Sequence, residues 1–203
     1  MKTNLAVFAV ASAALVLSGC AAPSATSPTA PVVTPVTTST STPSASPSPT
    51  APRSARGNLI KKVGQPASLK LASGELTTSF VLTKMTIDAP CTAPYAQPSE
   101  NGHFVALTFD VETTADLAKD INQFVWFGGQ SWKLIADTGT TYNGSLDTSP
   151  AYGCLNDEER IPSEIGPAEK VTGTIVLDVP AASGTLVFEP AGSGGWEWTF
   201  PAK

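Results

Sequence analysis

An alternation over residues 103–112 constrains this chain more than any other stretch. In His103-Phe104-Val105-Ala106-Leu107-Thr108-Phe109-Asp110-Val111-Glu112, Val105, Leu107, Phe109 and Val111 share one parity, and Thr108, Asp110 and Glu112 share the other. Side chains alternate across a strand, so this spacing predicts a strand with one face buried and one in water. Such a face needs a second layer to cover it. Residues 170–179 repeat the pattern, with Val171, Ile175, Leu177 and Val179 on one side and Lys170, Thr172, Thr174 and Asp178 on the other. Residues 75–87 form a third, Thr-rich strand whose parity slips near Lys84, as a bulge or burial on both faces would require. Shorter strands fit 67–71, 123–127, 132–136, 184–189 and 195–200, and the helix-like piece, 115–121, is about a turn long. Asp137-Thr138-Gly139-Thr140 has the chemistry of a turn. About eight short strands with little helix predict an all-β sandwich over residues 59–203, enough chain for one two-layer core.

Upstream of Leu59 the composition changes. Residues 21–56 hold eight Pro, eight Ser and eight Thr, with Val32, Val33 and Val36 the main apolar side chains. Such a tract cannot bury enough surface to offset the entropy of ordering it, which predicts a disordered, partly polyproline stalk. Fully extended it would reach roughly 110 Å.

Before the stalk, Lys2 precedes an unbroken small and apolar run from Leu5 to Leu17, too short to span a bilayer and of the right length for a signal peptide. The run closes on Leu17-Ser18-Gly19-Cys20, which resembles the lipobox of bacterial lipoproteins. The resemblance implies a signal peptide over 1–19 and lipid on the thiol of Cys20, which becomes the new N-terminus. Two acyl chains make a stable anchor where one would be marginal. The expected organisation is therefore signal 1–19, linker 20–58 and folded domain 59–203.

With Cys20 assigned to lipid, Cys91 and Cys154 remain, in a compartment where disulfides persist, and they are expected to pair. Residues 59–203 carry nine Lys and Arg against 17 Asp and Glu, a net charge of −8. An acidic domain is repelled by nucleic-acid phosphates and by anionic lipid headgroups, so the expected attachment to membrane is the tether and nucleic acid is not an expected partner.

A wider resemblance covers most of 59–203. Lys62-Val63-Gly64-Gln65-Pro66, Gly102 through Val111, Trp132 through Thr140, Gly166-Pro167-Ala168 and Gly173 through Pro180 are similar to the strands and turns of the immunoglobulin-like (telokin-like) domain of unknown function in Gram-positive surface lipoproteins. The resemblance implies an immunoglobulin-like β-sandwich and no catalytic motif. Glu112-Thr113-Thr114-Ala115-Asp116 departs from that family's Asn-containing turn, and the long loops around Cys91 and Cys154 are particular to this chain.

Catalytic chemistry is poorly represented. His103 is the only histidine and reads as a strand-end residue. The run Asp157-Glu158-Glu159 offers oxygens to a cation but reads as a solvated loop, with Arg160 competing for the carboxylates. No enzymatic activity, metal or cofactor is expected. Asn143-Gly144-Ser145 is a formal glycosylation sequon that reads as a turn. Trp196, Trp198 and Phe200 share one face of the last strand: inward they are core, outward a stacking platform for a glycan or a partner chain. Core is preferred, because exposing such large apolar groups together is costly. Trp126, with Phe124 and Phe127, raises the same question beside Gly128-Gly129. The expected function is display of the sandwich for binding or adhesion to an envelope protein or glycan. The alternative is carriage of a small hydrophobic or glycan ligand.

Overall fold

The computed structural model describes residues 52–190 and 194–201. Cys20, the expected signal peptide and most of the expected stalk lie outside the described residues. The described residues form ten strands: β1 (Leu59–Ile60), β2 (Pro66–Lys70), β3 (Leu76–Ile87), β4 (His103–Thr113), β5 (Val125–Trp126), β6 (Trp132–Ile135), β7 (Glu164–Ile165), β8 (Lys170–Val179), β9 (Gly184–Phe188) and β10 (Trp196–Phe200). One sheet runs β1-β10-β9-β6, the other β2-β3-β4-β8, and β5 pairs with β7 in a small ribbon. The molecule is thus an all-β sandwich of two four-stranded sheets.

Alternation builds the core as expected. Val105, Leu107, Phe109 and Val111 of β4 and Leu177 and Val179 of β8 meet Leu134, Leu186, Phe188, Trp196, Trp198 and Phe200 of the facing sheet. Phe80 binds the layers together, with its ring edge-on to Phe127, Phe188 and Trp196 at centroid distances of 5.5, 5.6 and 5.0 Å. Such contacts contribute about 0.5–1.5 kcal/mol each beyond the area they bury. The parity slip in β3 is a bulge: its register against β4 shifts between Leu82 and Lys84. Pro66 opens β2 at a sheet edge, where its missing N–H costs no ladder bond.

Trp196, Trp198 and Phe200 are only 7%, 1% and 1% exposed: they are core between the sheets, as preferred from the sequence, and the outward alternative, a ligand or partner face, does not hold. Other expectations are corrected. The strand expected over 123–127 shrinks to Val125–Trp126, because its partner β7 is itself two residues long. The helical piece is a 3-10 turn, Ala115–Lys119, capped by the Thr114 hydroxyl, which accepts from the Asp116 N–H at 3.2 Å. A further short helix, Ser149–Tyr152, was not legible; Thr148 caps it through Ala151 N–H.

Residues 52–58, read as linker, are attached to the sandwich. The Leu59 N–H donates to the Gly195 carbonyl and the Ile60 N–H to the Pro52 carbonyl, both at 2.9 Å. Asn58 is buried, and its side-chain oxygen accepts from the Gly195 N–H at 3.1 Å. This strap covers the outer face of β10, which buries Glu197 although it points away from the core.

Candidate functional site

The outer face of the β4–β8 pair is also covered in part. Phe104 and Val176 point away from the main core, yet both are buried, under Ala151 and Cys154. Cys91 and Cys154 are joined by a disulfide, which ties the 88–102 loop to the segment following the short helix. Asp178 underlies the same region. It belongs to the expected solvent face of β8 but is fully buried. Its carboxylate accepts from the Ser99 hydroxyl, from the backbone N–H of Glu100 (2.9 Å) and Asn101 (3.1 Å), and from the Thr148 hydroxyl (2.7 Å). A buried carboxylate with four donors is satisfied, and here it clamps two loops onto one strand.

Beside this clamp lies a groove of about 280 Å³. Residues 174–176 at the edge of β8 line it. Its walls include Trp126, Gly128, Gly129 and Asp147 on one side and Leu155 and Ile161 on another. Two segments dock onto the β8 edge and bound the groove. Thr174 N–H donates to the Glu159 carbonyl at 2.9 Å and Ile161 N–H to the Thr174 carbonyl at 3.0 Å; further along, Asp178 N–H donates to the Leu146 carbonyl at 2.9 Å. Gly173 permits the first docking, since a Cβ there would lie 2.5 Å from the Ile161 Cα.

Backbone groups alternate in direction along a strand. Val176 shares the parity of Thr174 and Asp178, so its N–H and C=O also point away from β4, between the two docked segments. Neither group has a protein partner among the described residues.

Gly128 and Gly129 shape the wall. A Cβ on Gly128 would lie 2.1 Å from Trp126 Nε1, and one on Gly129 would lie 2.7 Å from the Asp147 side chain. The indole and the carboxylate are therefore drawn against two consecutive backbone positions. The Asp147 carboxylate makes no hydrogen bond or ion pair among the described residues, and burial pushes its pKa up. Arg160 is already engaged: its guanidinium donates to the Tyr152 carbonyl at 3.0 Å, pairs with Asp157, and lies over the Tyr152 ring at 4.4 Å.

A larger depression, about 450 Å³, lies over the outer face of the β2-β3-β4-β8 sheet. Its polar groups satisfy one another: Lys170 pairs with Glu112 at 3.1 Å and Thr172 donates to Asp110 at 2.7 Å. It offers fewer free groups to a ligand than the groove.

The remaining residues singled out from sequence lie apart from the groove or have structural partners. His103 Nδ1 meets Asp88 Oδ1 at 2.6 Å at the partly exposed start of β4. In the acidic run, Asp157 pairs with Arg160; Glu159 accepts from the Thr92 hydroxyl and then from Asn156, which holds its pKa below the ordinary carboxylate value. No group of three or more metal-ligating side chains occurs among the described residues. Asn143 is on an exposed loop. No helix among the described residues is long and apolar enough to cross a membrane. Asp147 and the open Val176 edge were not singled out from the sequence; the Gly128-Gly129 step beside Trp126 was the available signal.

The fold and this groove define a β-sandwich with a disulfide-tied loop layer on one face. No protein-family model and no curated protein matches the chain. Among solved structures, the secreted protein MPT63 of Mycobacterium tuberculosis is similar at 15% identity and a TM-score of 0.45, over 70% of this chain and 97% of that one. That likeness is too distant to transfer an activity or a ligand.

Proposed function

We propose that the chain is an extracytoplasmic lipoprotein, anchored to a membrane by lipid on Cys20, whose stalk presents the sandwich as a non-enzymatic binding module for an envelope protein or glycan. The observation that carries this reading is the Cys91–Cys154 disulfide, because such bonds persist in oxidising compartments and are rare in the cytosol. The lipobox-like Leu17-Ser18-Gly19-Cys20 supports the anchor, and the Pro/Ser/Thr tract supports display at a distance from the bilayer. In cells fed a labelled fatty acid, the wild-type protein takes up label and fractionates with membrane. A Cys20→Ala variant loses the label and is either released or retained as an uncleaved precursor. Unchanged labelling and anchoring would overturn the tether.

A second reading, carriage of a small ligand, is favoured by the groove beside Trp126. Its walls are largely apolar and its free polar groups few, as in small-molecule sites, and its volume lies near the lower end for such sites. Native mass spectrometry of protein isolated from the envelope should show a retained mass on the carrier reading; its repeated absence counts against it.

A further inference from the structure

The groove has an open acid, an aromatic ring and a short stretch of unpaired strand edge, and together these define what would fit it. An extended peptide would need a run of free edge to add to the sheet. Here the Glu159–Ile161 segment and Leu146 occupy the β8 edge on either side of Val176, so that one residue's N–H and C=O remain open between them. That geometry selects a compact molecule over a strand.

Charge decides its chemistry. Asp147 is held against Gly129 with no partner of its own among the described residues, while the nearby cation, Arg160, is bound to Asp157, to the Tyr152 carbonyl and over the Tyr152 ring. The unanswered charge in the groove is therefore negative. The Trp126 indole lies against the adjacent Gly128, and an indole is the best of the aromatic side chains at attracting a cation to its face. Leu155, Ile161 and Val176 supply apolar surface for the rest of the molecule.

We infer that the groove binds a small organic cation, an ammonium group on an apolar body, with Asp147 as counter-ion, Trp126 beside it and the Val176 carbonyl as a hydrogen-bond acceptor. This rests on the small-ligand reading of the same groove. It adds the sign of the ligand's charge and the residue that answers it.

Three probes that share an indole body separate the claims: tryptamine, which is cationic; tryptophol, its neutral counterpart; and indole-3-acetate, an anion. Binding to the full-length protein is followed by calorimetry, with detergent alone as the blank. The expected result is tryptamine binding at least about tenfold tighter than tryptophol, with indole-3-acetate weakest. In Asp147→Asn the tryptamine advantage should shrink to about twofold or less, with tryptophol affinity unchanged. Equal binding of tryptamine and tryptophol by the wild type would overturn the cation assignment while leaving a small-ligand groove in place. A preference that survives in Asp147→Asn would overturn the role of Asp147. Failure of all three probes to bind at millimolar concentration would overturn the groove reading and this inference together. The wild-type comparison needs no variant, so it stands even if Asp147→Asn folds poorly.

Discussion

Arg56 and Glu197, 141 residues apart, are joined by a forked ion pair. The Arg56 Nη2 donates to both carboxylate oxygens of Glu197, at 3.0 and 3.1 Å, and Nε donates to one of them at 3.2 Å. Asn58 adds a longer contact to the same carboxylate at 3.4 Å. Glu197 is 5% exposed, so these donors take the place of water around its carboxylate. The pair makes the end of the apparent linker part of the folded domain.

Arg56→Ala should therefore destabilise the domain, by about 1–3 kcal/mol, because it leaves a buried carboxylate short of donors. Arg56→Ala combined with Glu197→Gln should cost less than Arg56→Ala alone, since the uncompensated charge is gone. Chemical denaturation of the three proteins measures both. Equal stability of Arg56→Ala and wild type would show that the strap adds nothing.

Asp178→Ala removes the acceptor shared by Ser99, Glu100, Asn101 and Thr148. The expected loss is about 2–4 kcal/mol. Asp178→Asn should recover only part of it, because its amide nitrogen faces groups that already donate. Amide exchange at Glu100 and Asn101 should accelerate in both variants. Unchanged protection at those two amides would contradict the clamp.

Reduction of Cys91–Cys154 opens a loop of 63 residues. The chain-entropy model assigns about 4 kcal/mol to that closure. The denaturation midpoint should fall accordingly under reducing conditions. Cys91→Ser/Cys154→Ser should match the reduced wild type and respond no further to reductant. A midpoint insensitive to reductant in the wild type would refute the prediction.

Asp147 gives a signed pH effect. Burial raises its pKa in the folded chain, so the folded state takes up this proton at a higher pH than the unfolded state does. Its contribution to stability is then lost as pH rises through the folded pKa. Asp147→Asn should be the more stable protein at neutral pH. The gap should narrow as pH falls through the folded pKa and close below the unfolded one. Stability curves of the two proteins against pH test the sign; a gap that widens on acidification contradicts it.

The strand alternation in 103–112 and 170–179 was sufficient to read the layers, because a period of two forces apolar side chains onto a common face whatever lies beyond. The slip at Lys84 was readable for the same reason: an extra residue reverses parity. Burial on the other face was not readable. Phe104, Val176, Asp178 and Glu197 belong to faces the pattern assigns to solvent, and each is buried by a segment distant in sequence. Nor does parity say whether a strand edge is free, and the opening at Val176 exists only because Leu146 and residues 159–161 dock on either side of it.

By itself, then, the sequence determined an all-β core, the parity slip in its third strand, a Pro/Ser/Thr tract ahead of it and the two cysteines able to pair. Tertiary structure alone decided that Phe104, Val176 and Asp178 are covered on the far side of their sheet, that residues 52–58 belong to the domain, and that Asp147 has no partner among the described residues. The physical reason is range. Side-chain direction along a strand is a local property, whereas the covering of a face and the pairing of a charge depend on which remote segment arrives there.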